Sequence, residues 1–223
     1  MIVAVDGPAG AGKSTVCRLL ARELDYTFLD TGAMYRALAW ALRQQFTDWD
    51  QIRSFEQSPL DTAFPLRFEI EDADLHIFFS QRSLGDEIRE PEITQLASSV
   101  SQLAWVREYL TGWQRQLARD GRVVAEGRDM TTVVFPHAEV KVFLTADLAT
   151  RARRRFLEYV QKGISVDYAA LESQIRERDE ADSHRSLAPL RPSPDARIID
   201  TSEMEIPQVL RILVEMVRSR EIH

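Results

Sequence analysis

The stretch that most constrains this chain is its first fifteen residues, MIVAVDGPAGAGKST. A short apolar run, Ile2-Val3-Ala4-Val5, meets Gly7, and the pattern G-x-x-x-x-G-K-S then runs from Gly7 to Ser14. Such a run reads as a buried parallel strand that delivers the backbone to a turn. Small residues, Gly7, Ala9, Gly10, Ala11 and Gly12, let that turn wrap closely around an anion. Successive N–H groups then point inward, and the helix beginning near Lys13 adds the positive end of its dipole. Lys13 is placed to reach β- and γ-phosphates, and the Ser14 hydroxyl to coordinate Mg²⁺. The loop Gly7, Pro8, Ala9, Gly10, Ala11, Gly12, Lys13, Ser14, Thr15 is therefore expected to hold a nucleoside triphosphate.

Composition bounds the rest. The 223 residues, 44% hydrophobic and 28% charged, suit one soluble domain or one core with insertions. A net charge of −7 argues against a broad nucleic-acid footprint. Cys17 is the single cysteine, so neither an internal disulfide nor a cysteine-built metal site is expected. No apolar run approaches a membrane span, and no signal peptide is recognised; the expected location is cytoplasmic.

Along the chain, helix is expected over 13–24 with Val16, Leu19, Leu20 and Leu24 on one face, and strand at Thr27–Leu29. A second helix runs to about Gln45, capped by Asp30 or Thr31. The pattern changes from Phe46 to Ser58, a polar connection, with Pro59, Pro65 and Pro91 as breakers. Residues 66–70 and 75–79 read as an antiparallel hairpin turning at Glu71–Asp74, an insertion with its own small sheet. Helical periodicity covers 91–120 with a break near Ala104 or Trp105. Strands follow at 123–126 and 140–144, helices at 145–161 and 166–182, strand at 198–200 and helix at 206–219. This alternation predicts an α/β fold, a P-loop-type parallel sheet with helices on both faces. The insertion is a small antiparallel domain, and the helices on either side of Lys162-Gly163 read as a lid.

A phosphate loop alone serves many chemistries. The chain contains no asparagine, so the Asn-Lys-x-Asp guanine-reading signature is absent, and no apolar strand ends in Asp-Glu. Arginines instead gather in short segments at 151–155 and at 176, 178 and 185, and the segments at 30–36, 126–129 and 151–155 all follow core strands. In open α/β sheets, ligands sit outside those strand ends. His76, His137, His184 and His223 form no catalytic constellation.

Taken together, GPAGAGKST at 7–15, LDTGAMYRALA at 29–39, EIR at 87–89, VRE at 106–108, EGRDMTTVVFP at 126–136, RARRRF at 151–156, RERDEADSHRSLAPL at 176–190 and IIDT at 198–201 resemble the bacterial cytidylate kinases, a branch of the nucleoside monophosphate kinases. The resemblance implies phosphoryl transfer from ATP to CMP or dCMP with Mg²⁺, by a monomer acting on free nucleotides. It divides the chain into a core (1–45, 92–149 and 187–223), an inserted NMP-binding domain (46–91) and a lid (150–186). It assigns the acceptor phosphate to Tyr35, Arg36, Arg128 and Arg178, with Thr31 beside them, and the cytosine to Ser98, Arg107 and Asp129. Asp182 falls near the sugar, Arg154 and Arg155 in the lid, and Arg185 near the acceptor. Lys13, Arg128, Arg154, Arg155, Arg178 and Arg185 are the expected catalytic charges. Cytosine offers an amino donor beside acceptors, which Asp129 with Arg107 and Ser98 complements, whereas uracil presents O4 to the carboxylate. Thr131 departs from the family pattern, which usually has Gly there; Glu126, Ala104 and Thr31 are milder departures. Another small-metabolite kinase, a non-catalytic nucleotide binder and a nucleic-acid module are the competing readings.

Overall fold

The computed structural model describes residues 1–55 and 64–221, which fall into two compact units, 1–26 with 122–223, and 27–121. In chain order the first unit opens with β1 (Ile2–Asp6) and α1 (Lys13–Leu24). The second holds β2 (Thr27–Asp30), α2 (Thr31–Gln45), α3 (Trp49–Ser54), β3 (Leu66–Glu71), β4 (Asp74–Phe79), the two-residue β5 (Arg82–Ser83), α4 (Pro91–Val100) and α5 (Ala104–Leu117). The first then resumes with β6 (Val123–Gly127), β7 (Val140–Thr145), α6 (Leu148–Gln161), α7 (Tyr168–His184), β8 (Arg197–Asp200) and α8 (Ile206–Glu221).

In the first unit four strands lie parallel in the order β6-β1-β7-β8. Val3, Ala4 and Val5 of β1, with Val124 and Ala125 of β6 and Val142 and Leu144 of β7, are buried. A strand covered on both faces has no polar side to show, which is why these segments read as apolar runs. Alternation shows in β7, where Val140, Val142 and Leu144 are buried and Lys141, Phe143 and Thr145 are half-buried, and at the edge, where Ile198 is exposed and Ile199 buried. The buried stripe of α1 is Val16, Cys17, Leu20 and Ala21, with Leu19 turned to solvent, so the expected face is rotated. Small Cys17 and Ala21 permit close approach to the neighbouring layer, and α8 packs against α1. Helices α6 and α7 close on Ala152, Leu171 and Ile175, flanked by Leu148, Phe156, Tyr159 and Val166. Asp147 and Asp167 cap them, accepting from Thr150 N and Ala170 N, and Gly163 supplies the left-handed residue (φ 71°) at the break between them.

In the second unit β3 and β4 pair antiparallel through a turn with positive φ at Asp72 and Ala73, the hairpin geometry that matches strand twist. The hairpin is not a separate sheet, however. Its β4 pairs in parallel with β2 at Phe28 and Asp74, and Phe28 N donates to Ala73 O at 2.9 Å. The break in the 91–120 helical segment falls at residues 101–103, just ahead of α5. The connection expected to reach Ser58, the Pro59 breaker and His223 lie in part or wholly outside the described residues.

Candidate active site

The first unit carries the glycine loop. Gly7 has φ 149°, and a Cβ there would stand 1.9 Å from the Leu144 carbonyl of β7, so no side chain fits between the two strands. At Gly10 (φ 79°) a Cβ would press on Arg151 at 3.0 Å. Gly12, in the left-handed region, leads into α1. Lys13 is buried, 5% exposed, and folds back so that Nζ donates to the Pro8 carbonyl at 2.8 Å. Burial first, and the Arg128 charge second, pull its pKa down to about 7; Glu126, Cys17 and Asp6 push it partly back. Ser14 and Thr15 are exposed.

Helix α6 braces this loop. Arg151 Nε donates to Ala146 O at 2.9 Å, its Nη1 donates to Ala9 O at 3.1 Å, and Nη1 also pairs with Asp179 Oδ2 of α7 at 2.5 Å. Arg154 donates from Nη1 to Thr201 Oγ1 (3.0 Å) and from Nη2 to Thr201 O (2.6 Å). The buried Thr201 hydroxyl lies between the Thr145 and Ala11 carbonyls, at 3.0 and 3.3 Å. Arg155 points elsewhere: it pairs with Glu158 at 3.1 Å and lies over the Tyr159 ring. Of the two lid arginines expected in the site, the structure brings only Arg154 to the loop.

Beyond β6 the charges are interleaved. Arg128 Nε donates to Asp182 Oδ2 at 3.0 Å. Arg185 lies 3.8 Å from Asp182 Oδ1 and 3.9 Å from Asp129 Oδ1, with its Nε donating to Ala188 O. Burial pushes the Asp182 carboxyl up, but the Arg128, Arg178 and Arg185 charges outweigh it and hold the pKa below the usual carboxylate value. Thus Arg128, Asp129, Arg178, Asp182 and Arg185, five of the residues expected at the acceptor, share one cluster in this unit.

The second unit carries the others. Asp30 caps α2, Oδ1 accepting from Ala33 N at 2.8 Å, while Oδ2 accepts from Arg36 Nη2 at 3.2 Å and lies 3.8 Å from Arg89. Thr31 is buried beside it. Arg107 is buried, donates to Ser101 O at 3.1 Å and lies 5.9 Å from the Tyr35 ring centre. Ser98 is half-buried on α4, and its carbonyl accepts from Ser101 Oγ at 2.7 Å.

Sequence reasoning missed two participants. Arg151 braces the loop, and the only signal was its place in the basic run 151–155. Arg89 shares Asp30 with Arg36, and EIR at 87–89 marked its segment without giving it a role.

A parallel sheet whose first strand ends in a glycine loop over a buried lysine, followed by arginine-bearing helices, defines a P-loop phosphotransferase. Among known proteins, the family model described as cytidylate kinase matches residues 3–219. A cytidylate kinase of Carboxydothermus hydrogenoformans is 42% identical over 217 residues, covering 97% of each chain. One from Syntrophotalea carbinolica is 43% identical over 221 residues, covering 99% of this chain and 93% of its own. The chain belongs to the cytidylate kinase family. A crystal structure of an uncharacterized protein from Eubacterium ventriosum shares the fold, with TM-score 0.55 at 11% identity, covering 98% of this chain and 99% of that one.

Proposed function

We propose that this chain transfers the γ-phosphate of ATP to CMP or dCMP, giving ADP and CDP or dCDP. The observation that carries the reading is the cluster of Arg128, Arg178 and Arg185 with Asp129 and Asp182, in the same unit as the loop of Lys13. A phosphate-binding loop needs only cations; acidic groups set among arginines serve an acceptor with both an anionic end and hydrogen-bonding edges.

An acceptor phosphate oxygen attacks Pγ as the bond from Pγ to the ADP oxygen breaks. The acceptor oxygen is already an anion, so no general base is needed, and alignment and charge neutralisation dominate. Lys13 and the α1 N-terminus take the β- and γ-phosphates, and Arg154 swings from Thr201 to the migrating group. Arg128 and Arg178 hold the acceptor phosphate, Asp129 accepts from the cytosine amine and Asp182 faces the sugar; the second unit offers Tyr35 and Arg36 as phosphate contacts, and Arg107 and Ser98 as donors to the ring acceptors of cytosine. Ser14, exposed beside Lys13, fits a Mg²⁺ that keeps waters and phosphate oxygens as its other ligands. When bound, the ion neutralises charge across the phosphates.

We further take residues 150–186 as the lid and 46–91 as the NMP-binding insert, and the protein as a cytoplasmic monomer without nucleic-acid partners. The charge of −7 supports the last point, and no described helix is long and apolar enough to cross a membrane. ADP release measured across nucleoside monophosphates tests the activity. CMP and dCMP should support fast turnover, and UMP, AMP and dTMP much slower turnover. Equal turnover on UMP or AMP would overturn the cytosine assignment, and tight ATP binding with no acceptor-stimulated ADP would overturn the kinase reading.

A further inference from the structure

Strand β1 ends in a buried carboxyl group, Asp6, that phosphoryl transfer does not use. Asp6 is fully buried, 0% exposed, where an unpaired carboxylate would be prohibitively costly. Both of its oxygens are taken. Oδ1 accepts from Met130 N at 2.7 Å, and Oδ2 accepts from Thr131 N at 2.8 Å and from Thr131 Oγ1 at 2.7 Å.

These donors open a single π-helical turn, Met130–Val134, closed by Val134 N to Asp129 O (3.1 Å) and Phe135 N to Met130 O (2.8 Å). The first N–H groups of any helical turn lack partners within it. Here the capping carboxylate comes from another strand. Asp6 lies opposite Gly127 in the parallel ladder of β1 and β6, so its side chain reaches the residues just beyond. Arg128 and Asp129 are bracketed as a result: the ladder holds Gly127 on one side, and the carboxylate holds Met130 and Thr131 on the other. Asp6 also precedes Gly7 directly, so one side chain joins the strand that enters the phosphate loop to the segment that carries Arg128 and Asp129.

Thr131 supplies the third donor. A glycine there would leave Asp6 its two backbone donors; the buried Thr131 hydroxyl adds a third. Burial raises the Asp6 pKa and the Thr131 and Met130 donors pull it partly back down, so each donor that reaches the carboxyl favours its ionised form. We propose that Asp6 and Thr131 form a positioning lock, in which the Thr131 hydroxyl fixes the Arg128–Asp129 segment in the geometry that reads the acceptor nucleotide. Neither residue touches substrate; both act through the two they hold. The proposal rests on the reading of Arg128 and Asp129 as acceptor contacts.

Thr131→Val keeps the shape and removes the hydroxyl; Thr131→Ser keeps the hydroxyl. In the Thr131→Val enzyme the KM for CMP should rise about tenfold, the preference for CMP over UMP should fall, and the KM for ATP should stay within about twofold. Exchange of the backbone amide protons at positions 130 and 131 should accelerate in the same variant. The Thr131→Ser variant should restore the three altered quantities and leave the KM for ATP as it was. Unchanged KM for CMP and unchanged amide exchange in Thr131→Val would overturn the lock. So would a Thr131→Ser variant as impaired as Thr131→Val, or a general rise in both KM values with a lower Tm, which marks a structural role alone. A wild-type enzyme that saturates with another acceptor would instead overturn the CMP reading, and amide exchange would still judge the lock.

Discussion

Lys13 and Arg128 belong to the same unit, yet they are held on opposite terms. Lys13 contacts a carbonyl, and burial brings its pKa to about 7. Arg128 lies on Asp182, whose carboxyl it helps to hold below the ordinary value despite burial. The donor loop is thus short of negative charge in direct contact with its lysine, and a bound polyphosphate supplies it. The cluster of Arg128, Arg178 and Arg185 carries its own counter-charges in Asp129 and Asp182, so in the reaction we propose an acceptor exchanges partners within a network already compensated. One site gains an anion; the other trades one.

The contrast breaks most visibly at Lys13. Lys13→Met should lower kcat by about 10³ or more while leaving Tm unchanged or raised, as ADP release and thermal melts will report. The pH dependence has a definite sign. With a folded pKa of about 7 against 10.5 for the ordinary group, the unfolded chain holds the extra proton between those values. Stability should therefore rise with pH across that window, by about 1 kcal/mol per unit, and the variant should lack this slope in urea denaturation.

Asp182→Asn tests the other side. Breaking a buried pair strands its arginines, so stability should fall by about 3 kcal/mol. Because the folded pKa of Asp182 lies below 3.8, the gap between wild type and variant should be constant above that pH and close as pH falls through the folded value. Equal stabilities near neutral pH would contradict the network.

The smallest contrast lies within α6. Arg154→Ala should cost about a hundredfold in kcat, because Arg154 is held at the loop through Thr201. Arg155→Ala should change kcat by less than about twofold, since its partner is an exposed Glu158. Equal losses would mean that Arg155 leaves Glu158 when nucleotides bind.

What the sequence disclosed follows from range. The apolar runs of β1, β6 and β7 and the cap Asp30 act over a few residues and were legible as strands and a helix start, whereas the caps Asp147 and Asp167 were not, and they start α6 and α7 at Leu148 and Tyr168, two or three residues later than expected. The loop of Gly7–Thr15 was legible because its geometry demands small residues at fixed spacing. The π turn at Met130–Val134 was not, because what completes it is Asp6, 124 residues away. Arg151 looked like one of four equivalent charges until the fold set it against Ala9 O. The hairpin read as a separate sheet because strand pairing through Phe28 and Asp74 leaves no local mark. Charged residues declare a site, while their division into braces, such as Arg151, and solvent pairs, such as Arg155, depends on tertiary partners.

The central claim is that the Asp129 carboxylate selects cytosine. The decisive measurement is the ratio of kcat/KM for CMP to that for UMP, in wild type and in Asp129→Asn. A site built to pair a substrate's amine rejects the analogue that lacks it by orders of magnitude. The ratio should be large in wild type and should fall by about a hundredfold or more in the variant, mostly through loss on CMP. A ratio that survives the substitution unchanged would place base recognition elsewhere and contradict the account.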